Sequence, residues 1–308
     1  MEIEAIIPPV DRQLLMSELT RDKFVKNTNN ANNEIYIFTH HDSPNLMQEI
    51  GRLRELTFRD AGGGTGLAID IDEFDTMDKP FKQLIVWNPR VQDIVGGYRF
   101  LHLKDLQFNE QGHPLTPTAE IFKFSQQFID DFQDKTIELG RSFVQPAFQP
   151  MYNLRKGMYS LDNIWDGLGA LITGHSDVDY FFGKFTMYTN YNQYARDLIL
   201  YFLNHFFPDP DKLVYPIHPL AYHHAEDELA SYFSGGTYDE NYKILNQQVR
   251  LRNESIPALV NAYASLSSTM RTFGTCINPF FGEVEETGIM IRIPDIYDFK
   301  KERHLIVK

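Results

Sequence analysis

A mixed α/β (α+β) fold, one sheet with helices on both faces, is the class that this chain predicts. Segments of alternating β-branched and aromatic residues take turns with segments whose apolar residues recur at helical spacing. Their order is strand, helix, hairpin, strand, helix, strand, helix, hairpin, which mixes crossovers with local hairpins. No internal repeat and no long linker divides the 308 residues. One domain over 1–308 is therefore expected, with an N-terminal helical extension (about 1–33) and a less regular insertion (about 208–255).

The elements follow in order. Arg12 to Lys26 reads as a helix, and the asparagine-rich Asn27–Asn33 as a polar loop. Glu34 to Thr39 alternates and reads as a strand. Leu46, Ile50, Leu53 and Leu56 mark a helix opened by Ser43-Pro44, with proline at its first position, and ended by Gly62-Gly-Gly-Thr-Gly66. Gln83–Trp87 and Asp93–Leu103 form a hairpin around Asn88-Pro89, and Thr136–Val144 is a further strand closed by Gln145-Pro146. A helix through Ile164, Leu168 and Ile172 takes Ser160 as its cap. Val178–Tyr188 reads as an aromatic strand, and Tyr194 to His205 as a helix stopped before Pro208. Residues 208–255 suggest loops with one or two helices. Pro257–Leu266 reads as helical, and Cys276–Phe281 and Gly288–Ile293 as the last strands.

Composition excludes several classes. With 29 basic and 42 acidic side chains the net charge is −13, which argues against a nucleic-acid binder, since that needs a dense basic face. One cysteine, Cys276, rules out an intramolecular disulfide framework and a cysteine-based zinc site. No apolar run reaches the roughly 18 residues of a membrane span, and the acidic start, Met1-Glu-Ile-Glu-Ala, does not read as a secretion signal. These features point to a cytoplasmic protein. Its 24 Phe and 16 Tyr suit either a filled core or the wall of an apolar cleft.

Several clusters could carry chemistry. The glycine run Gly62–Gly66 follows a helix and lacks the Gly-Lys-Ser/Thr ending of a phosphate loop, so it reads as a flexible turn beside a cleft. Asp70, Asp72 and Asp75 are either a solvated acidic turn or a group that steadies a basic residue or cationic substrate. They lack the glycine and distal glutamate of a calcium loop. His218, His223, His224 and Glu226 do not match a zinc motif, and no metal is expected. Glu138-Leu-Gly-Arg141-Ser142 stands in an apolar strand, where alternation puts Glu138 and Ser142 on one face and Leu139 and Arg141 on the other. Buried charge there must be paired.

Taken together, Arg54–Arg59, Gly62–Gly66, Asp70–Asp75, Gln83–Trp87, Ile94-Val-Gly-Gly-Tyr-Arg99 and Glu138–Ser142 resemble the GNAT-like N-acyltransferases of bacterial amino-acid lipids. These are the ornithine-lipid and glycine-lipid enzymes, and the set is more distantly similar to acyl-homoserine-lactone synthases. The match runs over about 34–205, with a weaker echo in Pro257–Tyr263. The resemblance implies a GNAT-type central sheet that splays at its middle, so that a pantetheine arm lies between strands. It also implies a long-chain, often 3-hydroxylated, acyl donor on acyl carrier protein, and the α-amino group of a small amino acid, glycine or ornithine, as acceptor. Glu138 and Arg141 become the catalytic pair by this motif, and Arg59, Arg99, Asp70, Asp72 and Asp75 the substrate-binding candidates. The stretch after the central strand, Gln145–Gly157, has two prolines and one glycine. It lacks the glycine-rich turn that would hold a pyrophosphate by its N–H groups. The donor is thus expected to be acyl carrier protein more than acyl-CoA, with no other cofactor.

The chemistry adds roles. An amino acid's amine is largely protonated at neutral pH, so a base is needed, and Glu138 is the choice. Backbone N–H groups near Phe143 and Val144, where strands part, could hold the oxyanion. Arg141 either orients Glu138 or binds the substrate carboxylate. Tyr98, Phe100, Tyr180, Phe181 and Phe182 are tunnel candidates for the chain, and Arg155, Lys156 and Lys184 candidates to meet an acidic carrier protein. An amphiphilic product and the stripe of the Tyr194–Phe207 helix would allow peripheral contact at the inner face of a membrane. A lactone-forming signal synthase and a non-catalytic lipid or carrier-protein binder are the alternatives.

Overall fold

Runs of β-branched, aliphatic and aromatic residues, buried on both faces in the central strands, produce the sheet, and the extra residue in one strand produces the opening at its centre. The computed structural model describes residues 3–152 and 154–304; the side chains of Arg155 and Lys156, two of the carrier-docking candidates, lie outside the described residues. Along the chain come α1 (Arg12–Glu18), β1 (Phe24–Asn27), β2 (Glu34–Phe38), α2 (Pro44–Asp60), α3 (Glu73–Thr76), β3 (Lys82–Asn88), β4 (Asp93–His102), β5 (Phe122–Phe124) and β6 (Thr136–Val144). The second half adds α4 (Leu154–Gly157), α5 (Ser160–Gly174), β7 (Tyr180–Met187), α6 (Gln193–Phe206), β8 (Val214–Pro216), α7 (Glu226–Tyr232), α8 (Tyr238–Arg250), α9 (Ala258–Ala264), β9 (Arg271–Asn278), β10 (Val284–Arg292) and α10 (Asp298–His304).

Among the described residues, eight strands make the main sheet in the order β1-β2-β3-β4-β6-β7-β10-β9, and β5 pairs with β8 outside it. Neighbours run antiparallel except β6 and β7, which are parallel. One face carries the largest core, where Leu84, Val95, Phe181 and Ile291 of the strands meet Leu168 of α5, Leu198 and Phe202 of α6 and Val260 of α9. On the other face α2 packs through Leu46, Ile50 and Leu53 onto Tyr36, Phe38, Ile85 and Trp87. The same face, further along, buries Phe74, Phe81 and Phe122 against Leu101, Phe182 and Met290.

The opening arises between β6 and β7. Their pairing covers Thr136–Leu139 against Tyr180–Gly183 and stops there, although β6 runs on to Val144 and β7 to Met187. Beyond that point each strand stays with its outer neighbour, β6 with β4 and β7 with β10. A β-bulge drives the parting: Gly97 faces Phe143 while Arg99 faces Gly140, so Arg141 and Ser142 together oppose Tyr98. Arg141 takes a left-handed φ of 51°, and a bulge of this kind bends and twists its strand.

Several expectations are corrected by the structure. The N-terminal segment is helical only over Arg12–Glu18, and Phe24–Asn27 leaves it to become the sheet's edge strand. Residues 208–255 keep the loops and two helices expected of them, α7 and α8, but add the short β8 and send Leu229, Leu245 and Val249 into the main core. The last strands are longer and begin earlier than Cys276 and Gly288. Ser160 is the first residue of α5 rather than its cap, and its hydroxyl donates to the Phe148 carbonyl.

The hairpin beside the bulge depends on close backbone approach. A Cβ on Gly97 would stand 2.3 Å from the Leu84 carbonyl oxygen. Gly97→Val should therefore lower stability by about 1–3 kcal/mol, the usual cost of overpacking, read as a fall in the chemical-denaturation midpoint.

Candidate active site

The acidic segment and the arginines meet in one buried cluster. Asp72 caps α3, its side chain accepting from the Phe74 N–H, and Asp75 reaches back to the Asp72 N–H, a reciprocal capping box that fixes both carboxylates. Arg99 of β4 grips Asp72 with two N–H groups at 2.6 and 2.8 Å and lies 3.0 Å from Asp75. Arg54 of α2 meets Asp75 at 3.1 Å, and Gln83 joins both by accepting from Arg54 and donating to Asp75. Arg141 holds Asp70 at 2.9 Å and comes within 3.7 Å of Asp72, its guanidinium stacked 4.1 Å over the Phe281 ring.

Arg54, Arg99, Asp70 and Asp75 are buried, so the arrangement stands because three guanidiniums answer three carboxylates. Burial alone would raise the Asp72 carboxyl, but the Arg99 guanidinium outweighs it and holds Asp72 below the usual carboxylate range. For Asp70 the balance reverses, and burial prevails over Arg141 to push its carboxyl up. Burial works against the Arg99 charge, yet Asp75 and Asp72 overcome it and raise Arg99 above an ordinary guanidinium.

A cavity of about 270 Å³ occupies the parting of β6 and β7. Glu138, Gly140, Arg141 and Ser142 line it from β6, and Phe181 to Thr186 from β7. Strand alternation divides its wall between the two faces of the sheet. Glu138, Lys184 and Glu286 belong to one face. Leu139, Phe181, Ile289 and Ile291 belong to the other, where the cavity meets Tyr263 and the start of α9. Glu138 is buried, and both carboxylate oxygens accept hydroxyl hydrogen bonds: Oε2 from Thr116, Oε1 from Thr118 at 2.6 Å.

The structure brings Glu138, Arg141 and Arg99 to this cavity, but not in the relation that strand alternation suggested. The bulge resets the face of Arg141, and its partners are Asp70 and Asp72 rather than Glu138. The threonines Thr116 and Thr118 orient Glu138 instead. Their loop carries no sequence signal, because only the fold lays it over β6. Arg59 stays outside the lining: it pairs with Glu55 at 2.6 Å and donates to the carbonyls of Glu4 and Leu67, tying down the glycine turn. Phe143 and Val144 also fall outside it, paired with Gly97 and Gly96. Arg141 and Ser142, which the bulge removes from the β4 register and which have no β7 partner, stand there in their place.

Of the aromatic candidates, Phe181 and Phe182 line the cavity; Tyr98 and Phe100 are core, and Tyr180 packs on Phe132. Phe58, Phe81, Tyr188 and Phe281, not singled out in the sequence, complete the lining. Lys184 is 12% exposed and faces Glu286 at 3.5 Å, so it belongs to the cavity and not to a docking surface. Of the α6 stripe, Leu198 and Phe202 are buried in the core, Tyr194 and Tyr201 are half-buried against it, and His205 is exposed. Among the described residues, no helix is long and apolar enough to cross a membrane.

A mixed sheet that parts between two parallel strands, with a carboxylate and an apolar channel at the parting, has the form of a GNAT acyltransferase. The profile of the acetyltransferase (GNAT) domain family matches residues 53–155, from α2 through β6 to the start of α4. The glycine Nα-acyltransferase of Bacteroides thetaiotaomicron is 53% identical over 303 residues, covering 98% of this chain and 90% of that protein. The enzyme of the same name from Phocaeicola vulgatus is 52% identical, covering 98% and 93%. The chain belongs to the family of these two enzymes and is an N-acyltransferase acting on an amino acid. No solved structure matches.

Two predictions test the charge cluster. Asp75→Ala leaves the buried Arg54 without a carboxylate and should cost about 3–5 kcal/mol in denaturant unfolding. Asp72, held low in the folded chain, adds stability above about pH 4, the unfolded carboxylate's range. That stability drains away as pH falls through the lower folded value. Asp72→Asn should accordingly flatten the loss of stability in acid, measured as the denaturation midpoint against pH.

Proposed function

We propose that this enzyme transfers a long-chain acyl group from acyl carrier protein to the α-amino group of glycine, forming an N-acylglycine. The observation that carries this reading is the cavity that crosses the sheet, with its charged residues on one face among rings such as Phe81 and Phe182, and aliphatic and aromatic residues on the other. A fatty thioester fits such a passage: each methylene taken out of water is worth about 0.8 kcal/mol, while the amine partner needs a polar wall. The relatives named glycine Nα-acyltransferase support glycine as the acceptor. The likeness to amino-acid-lipid enzymes makes a 3-hydroxylated chain the first donor to test.

The turn after β6 supports a carrier protein over acyl-CoA. Pro146 and Pro150 have no N–H, and the N–H groups of Phe148, Gln149 and Tyr152 already donate to carbonyls within the turn. A pyrophosphate would find little backbone to grip there; a phosphopantetheine arm anchored by its own protein has no such need.

In this reading Glu138, held by Thr116 and Thr118, takes a proton from the glycine ammonium. The freed lone pair attacks the thioester carbonyl carbon, and the bulged backbone of Arg141 and Ser142 faces the developing oxyanion. Collapse breaks the C–S bond. The electron pair leaves with sulfur, which picks up a proton to depart as the carrier's thiol, while the amide nitrogen sheds its second proton and one proton passes to solvent overall. Arg141, Arg99 and the three aspartates hold the wall beside this centre.

The test is direct. Incubation with a long-chain 3-hydroxyacyl carrier protein and glycine should yield N-acylglycine by mass spectrometry, and Glu138→Gln should lower kcat by about 10²–10⁴ with the melting temperature preserved. A full rate in that variant removes Glu138 from its role, and no product from the wild-type protein removes the proposed reaction.

A further inference from the structure

Lys184 is the first residue of β7 beyond its last pair with β6, Leu139–Gly183. Its side chain is 12% exposed, and a charge so enclosed persists only with partners. Its ammonium donates to the Thr118 hydroxyl at 3.1 Å and stands 3.5 Å from Glu286 Oε2 on β10. Thr118 in turn donates to Glu138 at 2.6 Å, and Glu286 accepts from Asn278 at 3.2 Å. A continuous chain, Glu138–Thr118–Lys184–Glu286, thus bridges the parted strands, with charges in the order minus, plus, minus. Glu138, Lys184 and Glu286 all line the cavity.

An ammonium has three donors; Thr118 takes one and Glu286 faces the group as an ion pair at 3.5 Å, which leaves a donor for a ligand. The neighbouring guanidiniums are turned toward the acidic segment. Arg99 holds Asp72 and Asp75, and Arg141 holds Asp70 while stacked on Phe281. The two hydrogen bonds through Thr118 keep the Lys184 nitrogen within about 6 Å of the Glu138 carboxylate. A zwitterion whose amine and carboxylate are separated by one carbon can meet both.

Resting on the acyl-transfer reading above, we propose that Lys184 binds the α-carboxylate of the acceptor amino acid, and that Thr118 sets its distance from Glu138 so that the amine arrives at the base. Glu286 pairs with the lysine and aims it across the opening. The sequence gives no sign of this role, because Lys184 and Glu286 lie on different strands and meet only through the antiparallel register of β7 with β10.

The experiment compares glycine with glycinamide, which keeps the amine but has no carboxylate, in the wild-type protein and in Lys184→Met. The wild type should prefer glycine in kcat/KM by about 10- to 100-fold, the range expected for one charge-assisted hydrogen bond. Lys184→Met should erase that preference, its loss in kcat/KM being about 10- to 100-fold larger with glycine than with glycinamide. If Lys184→Met does not fold, Lys184→Gln keeps a hydrogen-bonding group beside Thr118 without the charge and should give the same loss. A preference that survives in the variant, or equal losses with both acceptors, overturns the assignment of Lys184 while leaving acyl transfer intact. Failure of the wild-type protein to acylate either amine overturns both.

Discussion

The parting of β6 from β7 is the constraint on which the rest of the molecule depends. Two parallel strands pair for four residues and then separate, because each is held by an outer neighbour and because one extra residue bends β6 at Arg141. A closed sheet would bury both strands and leave no route between its faces. The open one gives a passage whose two ends differ in chemistry by simple alternation. Leu139, Phe181 and Ile291 face one way, Glu138, Lys184 and Glu286 the other.

Holding that opening requires charge where a core would otherwise be apolar. Asp70, Asp72 and Asp75 are laid beside β4 and β6 by a short loop and a four-residue helix, and Arg54, Arg99 and Arg141 come from three separate elements to meet them. Such a network adds little net stability compared with a well-packed apolar core, but breaking it leaves an unpaired buried charge. It fixes α2, the acidic segment and the bulged strand relative to one another, and with them the wall of the passage. The glycine turn is tied in separately, through the Glu55 carboxylate, which accepts from Thr65 and Gly66.

Much of this was readable in the sequence, and the rest fails for physical reasons that can be named. Strongly apolar or helical-period segments, such as Gln83–Trp87, Thr136–Val144 and the helix through Leu46 and Leu53, form as expected, since local pattern and burial agree. The edge strand Phe24–Asn27 and the small β5–β8 pair are too short to show a period, and tertiary pairing creates them. Glu138 and Arg141 could be found because charge in an apolar strand is conspicuous, the three aspartates because they cluster, and Arg99 through the family resemblance. Their pairing could not, because strand alternation predicts a face for Arg141 that the bulge reverses. Thr116, Thr118 and Glu286 are ordinary residues in sequence and Lys184 reads there as a docking residue; only their convergence in one chain of contacts around Glu138 distinguishes them.

A diffraction structure of the protein with a bound long-chain N-acylglycine would test the central claim most directly. The account predicts that the amide lies between β6 and β7 near Glu138, with the hydrocarbon chain running past Leu139, Phe181 and Ile291 and the glycine carboxylate on the opposite face of the sheet. A product bound outside that parting, or one whose chain and carboxylate lie on the same face, would contradict it.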